Sequence, residues 1–170
     1  MKFYDQQLNV NVSFARHAIA LDENRADFAV VPWGDPKIWK DTQPIWLMQY
    51  WFAGNHSDIG GSYPENEARL SDSALQWMVE QAQGVPNGIK VDRSVLQLFP
   101  SADGPQHDEC KGWLFRFAAK KPRAPTPDAI LHPSVYERFK RPAVLECDTM
   151  MPYRPPSLRD HDNLEDYYKR

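Results

Sequence analysis

Eight consecutive residues, Ile45-Trp46-Leu47-Met48-Gln49-Tyr50-Trp51-Phe52, carry one polar interruption and constrain the fold more than any other stretch. The run is too short for an independent helix and rich in aromatic side chains. It predicts a strand buried on both faces, as in a sheet covered by helices. Gly54 ends it, and residues 55–64 form a loop of polar and small side chains. Ser71 and Asp72 then open the clearest helical pattern, with Leu75, Met78, Val79 and Ala82 on one face. Gly84 stands where a glycine ends a helix, and Pro86 follows. Residues 45–84 therefore read strand, loop, helix, one β-to-α unit of an α/β fold.

Composition bounds the rest. The 170 residues are 42% hydrophobic and 25% charged, the usage of an ordinary folded domain and not of a disordered chain. No apolar run reaches the roughly eighteen residues of a membrane span, and the N-terminus has no apolar core of a signal peptide. Twenty basic and 23 acidic residues give a net charge of −3, so there is no electrostatic case for nucleic acid or an anionic bilayer. Cys110 and Cys147 have no metal-like spacing and are too few for a disulfide framework; they read as free thiols in a reducing compartment. No cofactor motif and no metal-ligand cluster is present. Eight of the 15 prolines lie beyond residue 120, which predicts a loop-rich last third.

Along the rest of the chain, Val12, Ala15 and Ile19 share a stripe flanked by Phe14, Ala18 and Leu21. With Asn11 as cap, this predicts a helix over 12–21. Residues 92–99 and 133–140 read as short helices, the second with proline in its first turn, and 113–117 as an edge strand. Residues 151–170 read as an extended charged tail on the folded part over 1–150, which the resemblance given below implies is the C-terminal part of an α/β-hydrolase-like catalytic domain.

The loop after the strand is where chemistry is expected, because ligands of open α/β sheets gather beyond the carboxyl ends of strands. It offers His56, a side chain able to move protons near neutral pH, and Asp58 two residues on. Gly60 and Gly61 permit unusual backbone angles and close approach. A loop histidine that only satisfies backbone groups is the competing reading. The loop lacks the Lys-Ser/Thr ending of a phosphate loop and the three-glycine dinucleotide spacing. His56 and Asp58 supply two metal ligands only. Ser57 and Ser62 lack the G-x-S-x-G frame, which occurs nowhere in the chain. His17 reads as a polar residue of the first helix, His107 and His132 as turn residues, and His161 as part of the charged tail.

The stretch from Trp51 to Pro64, containing Gly54-Asn55-His56-Ser57-Asp58-Ile59-Gly60-Gly61, resembles the catalytic domain of type VI secretion phospholipase effectors. So does the segment that follows, from Leu70 to Met78. Ala15-Arg16-His17-Ala18-Ile19-Ala20-Leu21-Asp22-Glu23 resembles the helix upstream of that family's histidine loop, and His132-Pro133-Ser134-Val135 and Tyr153-Arg154-Pro155-Pro156 resemble its C-terminal segments. The resemblance implies a bacterial hydrolase of α/β-hydrolase type, of the cytoplasm and delivered by type VI secretion without a signal peptide. It also implies a lipid substrate and His56 as the general base that activates a serine. Asp58 belongs to the same motif, either orienting His56 or fixing the loop.

Members of that family carry the nucleophile in a G-x-S-x-G elbow ahead of the histidine loop. This chain starts 55 residues before His56 and has no such elbow. The expectation is the C-terminal part of an α/β-hydrolase sheet, inactive by itself, completed by a complementary N-terminal hydrolase half or paired as a homodimer. The alternative is a non-catalytic remnant or interaction module that binds an effector, an immunity protein or a secretion component.

Overall fold

A computed structural model describes residues 8, 11–31, 33, 47–108 and 119–169. The apolar run 45–52 appears as strand β2 (Leu47–Phe52), with Ile45 and Trp46 outside the described residues. Its neighbour is a correction. Residues 12–21 do not form a helix; Ala15–Ala20 is strand β1, parallel to β2 and in register from Ala15 opposite Leu47 to Ala20 opposite Phe52. The spacing of Val12, Ala15 and Ile19 fits a helix, but Ala18-Ile19-Ala20-Leu21 is also a continuous apolar run, which suits a strand buried in a parallel sheet. The helix propensity of three alanines is worth only tenths of a kcal/mol each, and the partner edge offered by β2 outweighs it. His17 therefore belongs to a strand, where it stacks on Trp33 with ring centroids 4.4 Å apart.

The far edge of β2 is bridged too. Trp51 N–H donates to the Ile130 carbonyl at 2.9 Å, and His132 N–H donates to the Trp51 carbonyl at 2.8 Å. β2 is thus flanked on both sides. Past its end come the one-turn helix α1 (His56–Gly60) and then α2 (Arg69–Gly84). Leu70, Ala74 and Trp77 are the buried apolar side chains of α2, with Trp77 and Ala74 packed on Phe52. The expected face is only partly inward: Leu75 and Met78 are exposed at 46% and 37%. Gly84 remains inside the helix, and Val85 follows in extended conformation.

Helix α3 (Pro133–Lys140) forms as expected, capped by the His132 side chain accepting from Ser134 N–H. A hairpin of β3 (Val144–Glu146) and β4 (Thr149–Met151) follows. Residues 92–99 form a turn and irregular chain in place of the expected helix, and the expected strand 113–117 lies outside the described residues, as does Cys110. The segment beyond residue 151 is also corrected. It carries a 3-10 turn (Pro156–Leu158) and helix α4 (Glu165–Tyr168), and it is not an extended tail. Tyr153, Leu158 and Leu164 are fully buried in one cluster with Leu21, Val135, Phe139 and Val144. Three large apolar side chains at these spacings bury several kcal/mol of transfer free energy, which the many charges around them mask in the composition. His161 likewise sits inside, donating from Nε2 to the Ala129 carbonyl at 3.0 Å.

Arg138 is the largest fully buried side chain. Its Nη1 donates to the carbonyls of Ala102 and Gly104, both at 2.7 Å, and Nη2 to that of Leu145 at 3.3 Å. One guanidinium thus ties the carbonyls of the 102–104 loop to that of Leu145 in β3. The described elements make an α/β arrangement with small sheets, as the strand–loop–helix unit requires.

Candidate functional site

Parallel strands end at the same side of a sheet, so the residues following β1 and β2 emerge together. Pairing continues past both strands. Leu21 N–H donates to the Phe52 carbonyl at 2.9 Å, Asp22 N–H to the Gly54 carbonyl at 3.0 Å, and Gly54 N–H to Asp22 Oδ2 at 2.7 Å. Gly54 takes φ +116, and a Cβ there would lie 2.5 Å from Asp58 Cβ, so a side chain is excluded both by angle and by space. Gly61, at φ +79, ends α1 in the left-handed region and donates to the Ser57 carbonyl.

Between these glycines Asn55 caps α1. Asn55 Oδ1 accepts from Ser57 N–H at 2.7 Å and Asp58 N–H at 3.0 Å, while Asn55 N–H donates to Asp58 Oδ2 at 3.0 Å. This reciprocal capping box converts what reads as a loop into a helical turn with His56 as its first residue. Asp58 is buried and turned away from His56. Its other oxygen faces His107 Nδ1 at 2.7 Å, and His107 Nε2 lies 3.1 Å from Glu67 Oε2. Tyr63 stacks on the His107 ring at 3.6 Å. With a carboxylate at each ring nitrogen, His107 is a double donor, the imidazolium form. Burial by itself lowers its pKa, but the hydrogen bonds and charges of Asp58 and Glu67 prevail and raise it. Burial also pushes Asp58 up against the donors around it. The N–H groups of Asn55 and His107 and the facing imidazolium all demand an anion, so we assign the pair as ionised. His107 is therefore a bridge that clamps the turn, not a turn residue.

His56 meets a different acid. Its Nδ1 lies 2.5 Å from Glu23 Oε2, and Glu23 is 1% exposed while the His56 ring is 37% exposed. Glu23 also accepts from the backbone N–H of Arg25 at 2.9 Å and from its Nε at 3.1 Å. Burial alone raises the Glu23 carboxyl, but the Arg25 side chain and backbone, together with His56, lower it to about 2. Arg25 Nη2 also approaches His56 Nδ1 at 2.7 Å. A ring nitrogen offers one hydrogen or one lone pair, so it serves one of these neighbours. Glu23 is a buried anion that needs donors, and we assign the Nδ1 hydrogen to it. Nε2 then carries the lone pair and receives the Ser57 hydroxyl, 3.2 Å away. Phe28 stacks on the outer face of the ring at 4.5 Å, and Arg25 lies over Phe28 at 4.1 Å.

Of the two motif residues singled out from sequence, His56 therefore joins an acid–histidine pair, and Asp58 holds the turn that presents it. Glu23 is the member that sequence reasoning passed over. Its signal was the acidic pair Asp22-Glu23 directly after the apolar segment, which a helical reading of residues 12–21 left without a partner in the His56 loop. His17 and His132 lie apart from this pair; burial lowers His132 to about 4. Among the described residues no group of three His, Cys, Asp or Glu side chains could hold a metal ion.

A buried carboxylate paired with a half-exposed histidine ring, at the carboxyl ends of paired strands, is suited to proton transfer. Residues 1–81, which contain the whole pair, match the family model of the catalytic domain of Tle1-like phospholipase effectors of the type VI secretion system (T6SS). This is the family indicated by the histidine-loop resemblance. No match was found among curated proteins or among solved structures. No helix among the described residues is long and apolar enough to cross a membrane.

Proposed function

We propose that this chain contributes the general base of a serine esterase or phospholipase site, with His56 as base and Glu23 as its orienting acid. The observation that carries the reading is the 2.5 Å contact between Glu23 Oε2 and His56 Nδ1. In this reaction Nε2 takes the proton of a serine hydroxyl as that oxygen attacks the ester carbonyl. The imidazolium so formed is stabilised by Glu23, which stays ionised. The proton then passes to the departing alcohol, and water repeats the sequence to release the acid. Asp58 acts indirectly, by holding α1 through the capping box and His107.

The attacking serine is not supplied by a G-x-S-x-G elbow within these 170 residues. Ser57 touches Nε2 but is 6% exposed, which denies a carbonyl carbon the approach a nucleophile needs. The reading is thus of a hydrolase-type sheet completed by a serine-bearing segment, with the isolated chain nearly inactive on esters and phospholipids. The family match over residues 1–81 supports the substrate class and delivery by type VI secretion.

The test is complementation. Co-expression with a segment that carries the elbow should yield esterase activity that falls about 10³-fold or more in His56→Ala. Full turnover in a folded His56→Ala protein would refute the assignment. Fluorophosphonate labelling of Ser57 in the isolated chain would refute the placement of the nucleophile elsewhere.

A further inference from the structure

The chain after β1 forms a strap over the acid–histidine pair, and a distant segment holds it there. Ala26 N–H donates to the Ala119 carbonyl at 2.9 Å, and Lys121 N–H to the Asn24 carbonyl at 2.7 Å. These bonds pair Arg25 with Lys120 in an antiparallel bridge. The strap then turns through a 3-10 helix (Ala26–Phe28), and the Phe28 carbonyl accepts from Arg123 Nη2. Side chains three apart share a side in such a turn, so Arg25 and Phe28 face His56 together. Phe28 stacks on the ring, while Arg25, 5% exposed, reaches under it to Glu23. Its guanidinium meets the carboxylate at two points, Nε on Oε1 at 3.1 Å and Nη2 on Oε2 at 3.2 Å. The Arg25 backbone N–H adds a third bond, to Oε1 at 2.9 Å.

We infer that Arg25 is a positioning residue for the base: by holding both oxygens of Glu23 it aims the carboxylate at His56 and keeps the ring hydrogen on Nδ1. A carboxylate held at two points cannot rotate in place, so Oε2 stays 2.5 Å from Nδ1, whereas a single donor would leave that rotation free. Burial by itself raises the Glu23 carboxyl, and the bonds from Arg25 and His56 lower it to about 2. Without the guanidinium, Glu23 takes up a proton or turns to another donor. In either case Nδ1 loses its fixed acceptor, and the ring hydrogen divides between the two nitrogens. Nε2, which faces the Ser57 hydroxyl, is then a proton acceptor only part of the time. Arg123, the other cation close to Glu23, acts on it through charge alone, with Nη2 on the Phe28 carbonyl. Residues 119–123 lie outside the stretch 1–81 that matches the family model, so the aim of the base draws on chain beyond that match. The consequence for turnover rests on the reading under Proposed function, while the orientation of the ring does not.

The full chain, ¹⁵N-labelled and held at pH 9, reports the orientation through the two ring nitrogens of His56. The wild type should show one protonated and one bare nitrogen. Arg25→Gln should show both nitrogens near the averaged shifts of a ring exchanging between tautomers, and Arg25→Lys, which keeps a charge beside Glu23, should retain more of the single tautomer. An Nδ1–H tautomer intact in folded Arg25→Gln, or a loss as complete in Arg25→Lys, overturns the assignment. If Arg25→Gln does not fold, the wild type decides. Its Arg25 Nε–H should exchange with solvent at least about tenfold more slowly than that of the exposed Arg159, and equal exchange overturns the two-point hold. With a serine-bearing segment supplied, Arg25→Gln should lower kcat about 10²-fold and leave KM within about twofold, and a change confined to KM overturns the role. A divided tautomer in Arg25→Gln without His56-dependent hydrolysis on complementation keeps Arg25 in this role and loses the proposed function. Full hydrolysis by Arg25→Gln with an unchanged tautomer keeps the function and removes Arg25 from it.

Discussion

Glu23 and His56 are 33 residues apart in sequence, yet Glu23 Oε2 lies 2.5 Å from His56 Nδ1. The contact exists because β1 and β2 run parallel and stop level, Ala20 opposite Phe52. Each chain then continues a few residues, one delivering a buried acid and the other a half-exposed base. The partner of a base decides which of its nitrogens can accept a proton, so this pairing governs what the site can do.

Exchanging the two acids of the site should have unequal consequences. In the complemented enzyme, Glu23→Gln removes the anion that stabilises the imidazolium, and kcat should fall by about 10²–10⁴-fold with little change in KM. Asp58→Asn keeps one oxygen, for Asn55 N–H, and turns an NH2 donor toward His107 Nδ1, so its cost should appear in melting temperature more than in kcat. A larger kcat loss for Asp58→Asn than for Glu23→Gln would reverse the roles. In the isolated chain, ¹⁵N shifts of the His56 ring should report the Nδ1–H tautomer, lost in Glu23→Gln.

Two glycines of the motif make a paired test of backbone demand. Gly54→Ala puts a Cβ 2.5 Å from Asp58 Cβ at φ +116 and should cost about 2–4 kcal/mol in urea unfolding. At Gly60 nothing lies within 4 Å of an added Cβ and φ is ordinary, so Gly60→Ala should be neutral or slightly stabilising. Equal losses at both positions would contradict the geometry.

His107 links stability to pH. Its folded pKa is raised above the ordinary 6.5, so its contribution is complete below about pH 6 and disappears as pH rises through the folded value. His107→Gln should therefore lower the melting temperature more at pH 6 than at pH 9. An equal loss at both would mean that the ring acts by stacking on Tyr63 alone.

Asp22 adds a second pH dependence of the same sign. Burial raises it from 3.8 to about 7, so between those values the folded chain holds a proton that the unfolded chain releases. Stability should fall as pH rises across that window, by at most about 1.4 kcal/mol per pH unit from this group. Asp22→Asn should flatten the slope. Glu23, lowered to about 2, acts oppositely and only in acid: its contribution is present above about pH 4.5 and is lost as pH falls toward 2. A slope unchanged by Asp22→Asn would show that Asp22 is ionised throughout.

The sequence by itself determined the parts governed by local chemistry. The strand up to Phe52, the glycine that ends it, the helix near Ser71 and the proline-started helix at residue 133 all form, because each depends on neighbours within a turn or two. Their burial differs from the expectation: the inner residues of the strand are half-buried, and Leu75 and Met78 are exposed. The His56 loop was legible for the same reason: its glycines, its histidine and its capping residues are contiguous. Pairing between distant segments was decided only by tertiary structure. The stripe in residues 12–21 satisfies both a helix and a buried strand, and only the edge of β2 selects the strand. With that choice Glu23 becomes the partner of His56, and Asp58 is freed to clamp its turn through His107. Tyr153, Leu158 and Leu164 sit among prolines and charges that mask them, and they enter the core because Leu21, Val135 and Phe139 present an apolar surface for them to cover. A contact between residues far apart in sequence leaves no periodicity in either segment, so its energy can be read only where the two meet.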